Sequence, residues 1–361
     1  MRRIKRKPQF TLPTKYILLG MTVLCVTVMF LSFTFNLSGG PLNAVAGYVF
    51  VPMQKGINAV GGWMSEKGDN LKKTERKTAM TGRTDLALEL TESEKYPEDG
   101  VLIEKSGSGD VSITKIEIVS EEGEKALGKA MGRYITVEFP PVTRIADCKE
   151  LEKCLAKTLA GLFPDKKAPL LVVGLGNTDI TPDAVGPLTA GRLLATRHIN
   201  GQFAKELGLD GIRSVSVLSP GVLGQTGIEA SELIKAAVSA VKPAAVIAID
   251  ALAARSTERL FTTVQICDTG ISPGSGVKNR RKELSSATLS VPVIAVGVPT
   301  VVGAEILAEE LTGSKSRSSE GMFVTPKDVD MLTDRISGIL ARAMNAFLQP
   351  GIEPDILSGL V

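Results

Sequence analysis

At 361 residues, with 43% hydrophobic and 22% charged residues, the chain is long enough for one large domain or two ordinary ones and reads as globular, not disordered. Four cysteines (25, 148, 154 and 267) are too few for a disulfide scaffold and suit no zinc site by spacing, and the single histidine, His198, excludes HExxH chemistry. The net charge of +3 hides a basic head: residues 1–80 hold twelve Lys/Arg against three Asp/Glu, and the acidic remainder has no basic stripe with interleaved aromatics that would bind nucleic acid directly.

Residues 1–15 carry Arg2, Arg3, Lys5, Arg6, Lys7 and Lys15 without an acid, and Tyr16–Phe35 then runs twenty residues without a charge. A helix of that length crosses about 30 Å of hydrocarbon. The expectation is a transmembrane helix over 16–35 with 1–15 as its cytoplasmic tail. A signal peptide, whose apolar region is normally about 7–15 residues, is the competing reading. Residues 36–81 form a juxtamembrane segment. In it Val51, Met53, Ile57, Val60 and Met64 recur at roughly helical spacing, as in a membrane-lying amphipathic segment or a helical stalk.

From residue 82 onward the pattern is that of one folded domain reaching 361. Val111–Ile118 and Arg133–Phe139 alternate with period two, as half-buried strands do. Glu124–Met131 and Leu151–Leu162 read as helices. Pro169–Val173, Ser214–Leu218, Ala244–Ile249 and Val291–Val298 read as buried strands. Between and after them, Pro187–Thr196, Ile228–Val241 and Thr325–Leu348 read as helices. The second opens with a capping box, Thr226-x-x-Glu229, and the third with Thr325 as N-cap and Pro326 at the first helical position. The fold class expected is α/β: a mostly parallel, doubly wound sheet flanked by helices.

In such a sheet, ligands bind beyond the carboxyl ends of the strands. Asp179 and Asp183 follow the strand ending at Val173, and Asp250 follows the one ending at Ile249. Asp183 and Asp250 together could supply an acid/base pair, one carboxylate taking a proton from water and the other donating to a leaving nitrogen. The plain reading of Asp179 and Asp183 is turn or cap residues. Asp250, after an apolar run, is costly to bury without a purpose. Gly174-x-Gly176 looks like a dinucleotide loop, but Asp179 stands where the third glycine belongs; a nucleotide- or sugar-binding enzyme is kept as an alternative. Asp268, in Asp-Thr-Gly, reads as a turn or substrate-loop residue, and His198 as a structural or surface residue at a helix end.

The segments RTDLALEL, VVGLGNTDITPDAVGP, ATRHI, PGVLGQTGIEASELI, AIDALAARSTER, DTGISPGSGVKNRRKELS, VPVIAVGVPTVV and MFVTPKDVD, in this order, resemble the germination proteases of spore-forming bacteria over about residues 82–361. The resemblance implies an endopeptidase that degrades small acid-soluble spore proteins, an α/β fold similar to hydrogenase-maturation endopeptidases, and no metal or cofactor. It further implies an atypical aspartic mechanism with Asp183 and Asp250 as the catalytic pair, a self-processing zymogen, a homotetramer, and a place in the spore core. Family substrates are cut within a Glu-Ile/Phe-Ala-Ser-Glu-like site. Thr84–Glu89 (TDLALE) mimics that pattern, which marks Asp85–Leu86 as the self-cleavage site. Arg255, Lys278, Arg280 and Arg281 are the cations expected to meet acidic substrate positions, with Lys282 beside them; a solvated loop is the plain reading of the last four.

Residues 1–75 resemble instead the N-terminus of the rod-shape protein MreC, which covers an anchor and no chemistry. The alternative function is therefore a membrane-tethered cell-shape scaffold carrying an inactive protease domain.

Overall fold

The computed structural model describes residues 84–199, 201–206, 211–272, 282–312 and 321–352. The expected membrane span 16–35, the segment 36–81, and Lys278, Arg280 and Arg281 lie outside the described residues. Among the described residues no helix is long and apolar enough to cross a membrane.

Among the described residues nine strands make one sheet: β1 (Val101–Ser108), β2 (Val111–Ile118), β3 (Gly132–Glu138), β4 (Leu170–Gly174), β5 (Val215–Leu218), β6 (Ala245–Ala254), β7 (Thr263–Cys267), β8 (Val293–Gly303) and β9 (Phe323–Val324). Their order is β1-β2-β3-β7-β8-β6-β4-β5, with β9 paired to β8. Only β8, β6, β4 and β5 are mutually parallel. The pairs β1–β2, β2–β3, β3–β7, β7–β8 and β8–β9 are antiparallel. The sheet is therefore mixed, which corrects the expectation of a mostly parallel one.

The reason is local for the first half and remote for the second. Ser108 and Val111 are joined by Gly109-Asp110 alone, and Gly109 takes the positive φ of +57° that a two-residue hairpin turn favours. A connection that short permits only antiparallel pairing. Strand β7 (TVQIC), to which the sequence reading assigned no element, then enters between β3 and β8 with all five residues buried.

The helices that cover the sheet and carry its loops are α1 (Ala87–Ser93), α2 (Glu121–Leu127), α3 (Lys149–Leu162), α4 (Val185–Ala190), α5 (Leu223–Thr226), α6 (Ala230–Val241) and α7 (Val329–Leu348). Successive residues of the parallel strands face opposite ways. Leu170, Val172, Ile247 and Ile249 join the buried faces of α3 (Leu151, Leu155, Leu159) and α7 (Ile336, Leu340, Met344). Leu171, Val173, Val246 and Ala248 pack with Ile234 of α6 on the other face. Each fully buried leucine or isoleucine contributes about 1.5–3 kcal/mol, so this two-sided burial is the main force holding the central strands.

Two predicted helix starts are displaced. Thr226 does not cap α6: its hydroxyl accepts the Ile228 amide, and Gly227 at φ +70° ends α5 just before. Thr325 does not cap α7: its hydroxyl donates to the Thr300 carbonyl of β8 at 2.8 Å, and the helix begins at Val329. In both cases a threonine spends its side chain on a local turn or a neighbouring strand, as short hydroxyl side chains readily do.

Candidate active site

Strand β4 pairs with β6 up to Gly174 opposite Ile249, and the next amide, Leu175, still donates to the Ile249 carbonyl at 2.8 Å. The chain then loops through 176–183 and returns. Asp183 donates its amide to the Ile180 carbonyl at 2.8 Å and closes the short turn Thr181–Asp183. Its carboxylate accepts the Asn177 amide at 2.8 Å. This turn packs against β6, β8 and α7.

Glycine is required where the loop returns. A Cβ on Gly176, whose φ is +119°, would stand 1.9 Å from the Asp183 carbonyl oxygen. A Cβ on Gly174 would stand 2.4 Å from the Gly186 carbonyl, and one on Gly186 2.1 Å from that of Leu175. Close packing of this chain on itself accounts for Gly174-x-Gly176, and the space over Gly176 is filled by Asp183. Asp179 is fixed as a loop residue: its carboxylate accepts Gln225 Nε2 of α5 at 2.9 Å.

Asp250 is not at a strand end. It sits within β6, 4% exposed, opposite Gly297 of β8. The sequence reading stopped the strand at Ile249, but β8 continues alongside and carries β6 to Ala254, with a register shift between Leu252 and Ala253. What ends at Ile249 is the β4 side. Asp250 is the first residue of β6 past that pairing, and the turn that carries Asp183 packs against the same strand.

Asp85 and Leu86 lie further along the same strand. The Asp85 amide donates to the Ala253 carbonyl at 3.0 Å, and its carboxylate accepts the Ala253 amide at 2.9 Å. Leu86 and Ala87 are fully buried and Leu88 nearly so. Gln265 brackets the segment, donating Nε2 to the Asp85 carbonyl at 3.1 Å and accepting the Ala87 amide at 2.7 Å. Lys129 Nζ reaches the same Asp85 carbonyl at 2.9 Å.

Glu89 ends this segment in a buried position. It accepts the amides of Arg255 (2.8 Å) and Ser256 (3.0 Å) and pairs with Arg259 at 3.3 Å. Burial pushes its carboxyl above the ordinary 4.5, and the hydrogen bond from Thr84, the Arg255 and Ser256 amides and the Arg259 charge oppose that rise. A cavity of about 910 Å³ opens here, lined in part by Glu89, Glu138, Arg144, Arg255, Glu258 and Arg259.

Of the cations expected at the substrate, Arg255 is thus at this cavity, its guanidinium on Ser93 Oγ. Lys282 is on the surface with Glu232 at 3.6 Å. His198 is exposed in a turn beyond α4, not at a helix end. Asp268 serves structure, accepting the Arg133 amide at 2.8 Å and Nε at 2.7 Å. Sequence reasoning missed Lys129, Gln265 and Arg259. Only Arg259 lay in a segment already singled out, and nothing local to Lys129 or Gln265 announces a partner at residue 85.

A family model described as germination protease matches residues 79–312. The germination protease of Caldanaerobacter subterraneus subsp. tengcongensis is 44% identical over 319 residues, covering 77% of this chain and 98% of that protein. That of Clostridium tetani is 42% identical, covering 76% and 97%, and that of Bacillus velezensis 36%, covering 76% and 95%. Among solved structures, the NiFe hydrogenase maturation protease HycI of Thermococcus kodakarensis matches with 18% identity over 52% of this chain and 98% of that one, at a TM-score of 0.31, too low to carry an argument. With a family model over most of its length and relatives above 40% identity that it spans almost entirely, the chain belongs to the germination protease family.

Proposed function

We propose that this germination protease is an endopeptidase for small acid-soluble spore proteins, and that Asp183 and Asp250 are its catalytic pair. The observation that carries the reading is that the turn Thr181–Asp183, held by the Asn177 amide on the Asp183 carboxylate, packs against β6, the strand in which Asp250 lies just past the end of its β4 pairing. One carboxylate, ionised, takes a proton from the attacking water, and the other, protonated, donates to the leaving nitrogen. Nothing in the fold or the relatives supports the scaffold alternative. Incubating the full chain, Asp183→Asn and Asp250→Asn with a small acid-soluble spore protein tests the assignment: cleavage by either variant at the parent rate removes that residue from the mechanism.

The same reading includes a self-processing zymogen cut at Asp85–Leu86, supported by the likeness of Thr84–Glu89 to the substrate pattern. Ala253, on which Asp85 is seated, lies three residues past Asp250, roughly 10 Å along a strand. The bond therefore has to leave β6 to meet the aspartates, or be cut by a second copy. A domain running over 82–361, a homotetramer, residence in the spore core and an N-terminal membrane span at 16–35 belong to this proposal on the strength of the sequence. Cutting at Leu86 would detach the domain from that span. Intact mass before and after activation tests it: a new N-terminus far from Leu86, or normal processing of purified Asp250→Asn, counts against self-cleavage.

A further inference from the structure

The segment that carries the proposed cut is seated among charges that suit the products of cutting it, a role for them that rests on the reading of Asp85–Leu86 as the bond cut. On the acyl side, the Asp85 carbonyl oxygen accepts Lys129 Nζ at 2.9 Å and Gln265 Nε2 at 3.1 Å. On the amine side, the Leu86 amide donates to Thr84 Oγ1 at 2.9 Å, and that hydroxyl donates in turn to the Glu89 carboxylate. Glu89 stands in acidic company. The guanidinium of Arg259 is shared by Glu89 at 3.3 Å, Glu92 at 2.9 Å and Glu138 at 2.6 Å, while Arg144, Arg255 and Glu258 line the adjoining cavity.

In the uncut chain neither charge is fully used from this side. The Lys129 ammonium meets a neutral carbonyl, and Leu86 reaches the Glu89 carboxylate only through a hydroxyl. Hydrolysis breaks the C–N bond, places the OH of water on the Asp85 carbonyl carbon and its remaining hydrogen on the Leu86 nitrogen. At neutral pH the new acid then loses a proton and the new amine gains one. Thr84 and Asp85 now belong to the leader, and Leu86 to the body.

We infer that Lys129 and Glu89 are positioning residues for the two ends made by self-processing: Lys129 receives the Asp85 carboxylate, and Glu89 receives the Leu86 α-ammonium in the place that the Thr84 hydroxyl holds before the cut. The anchor for this exchange is apolar. Leu86 and Ala87 are 0% exposed and Leu88 3%, so the new terminus has an apolar seat to return to once the cut is made. A buried ammonium left unpaired there would be expelled, whereas one facing a carboxylate forms a charge-assisted hydrogen bond. The Lys129 contact likewise changes from a charge on a dipole to a charge on a charge, which retains the leader after the cut.

The test uses the full chain, its self-processing followed by intact mass. The Leu86 α-amine is then titrated by pH-dependent reductive methylation, and retention of the leader is read by native mass spectrometry. In the parent the α-amine should titrate at least one unit above the usual value of about 7.7–8.0, and Glu89→Gln should abolish that rise. Lys129→Met should release the cut leader at least tenfold faster, and Lys129→Arg should restore its retention. Lys129 is only half-buried, so this arm stands even if Glu89→Gln does not fold. An ordinary α-amine in the cut parent, or a leader released from Lys129→Met at the parent rate, overturns the inference while leaving self-processing intact. A parent chain never cut near Leu86 overturns self-processing itself, and this with it.

Discussion

Gly176 and Asp183 touch backbone to backbone, with the Asp183 carbonyl oxygen 1.9 Å from where a Gly176 side chain would begin. The contact fixes where the loop after β4 returns and therefore where the Asp183 carboxylate stands. Gly176→Ala forces the two apart at a φ of +119°. Displacement of a reacting group by about 1 Å costs on the order of 100-fold in rate, and peptide cleavage by Gly176→Ala should fall by about that much. Gly128→Ala is the control: its φ is +62° with open space around it, so it should cost about 1–2 kcal/mol in stability and leave cleavage unchanged. Equal activity of Gly176→Ala and the parent would show that the loop does not position the chemistry.

Asp183→Asn and Asp250→Asn should each lower cleavage by about 10²–10⁴-fold, the range for loss of a general acid or base, with circular dichroism unchanged. His198→Ala, in an exposed turn, should cut at the parent rate. An inactive but folded His198→Ala would return the mechanism to a histidine-based hydrolase.

Leu86 is fully buried against the central core although it lies next to the proposed cut. Leu86→Ala should destabilise the protein by about 2–5 kcal/mol, read as a lower midpoint in urea, whereas Leu311→Ala, 76% exposed, should change stability by no more than about 0.5 kcal/mol. A small effect at Leu86 would mean that the 84–89 segment is not part of the folded core.

Burial holds the Glu89 carboxyl above its ordinary 4.5. The folded chain then binds this proton more tightly than the unfolded chain. The contribution of Glu89 to stability is therefore most favourable below pH 4.5, declines as pH rises through the window between the ordinary and the raised value, and levels off above it. Glu89→Gln cannot titrate and should lack this decline. The unfolding midpoint of the parent should fall relative to that of Glu89→Gln as pH is raised from 4, and parallel curves would mean that the Glu89 carboxyl is not held above its ordinary range.

The sequence by itself determined the elements whose environment is uniform along their length. The apolar runs at 170–173 and 244–249 read as buried strands, and the alternation at 111–118 and 133–139 as half-buried ones, because a strand's two faces are written directly into successive residues. It also singled out Asp250, since an aspartate directly after a buried run is conspicuous, whereas Asp183 was marked by the family resemblance. The tertiary structure alone decided what those elements meet. Thr263–Ile266 alternates as a half-buried strand would, yet all of β7 is buried, Gln265 included, because it brackets a backbone 180 residues away in sequence. Asp250 became an interior residue of β6 only because β8 runs on beside it to Gly303. Lys129 reaches across 44 residues to Asp85, and the Glu89 carboxylate takes the amides of Arg255 and Ser256 across more than 160. Local periodicity records which side of a segment is dry; it carries no information about which distant donor or charge will stand on that side, because such pairing is fixed only when the sheet brings the strands together.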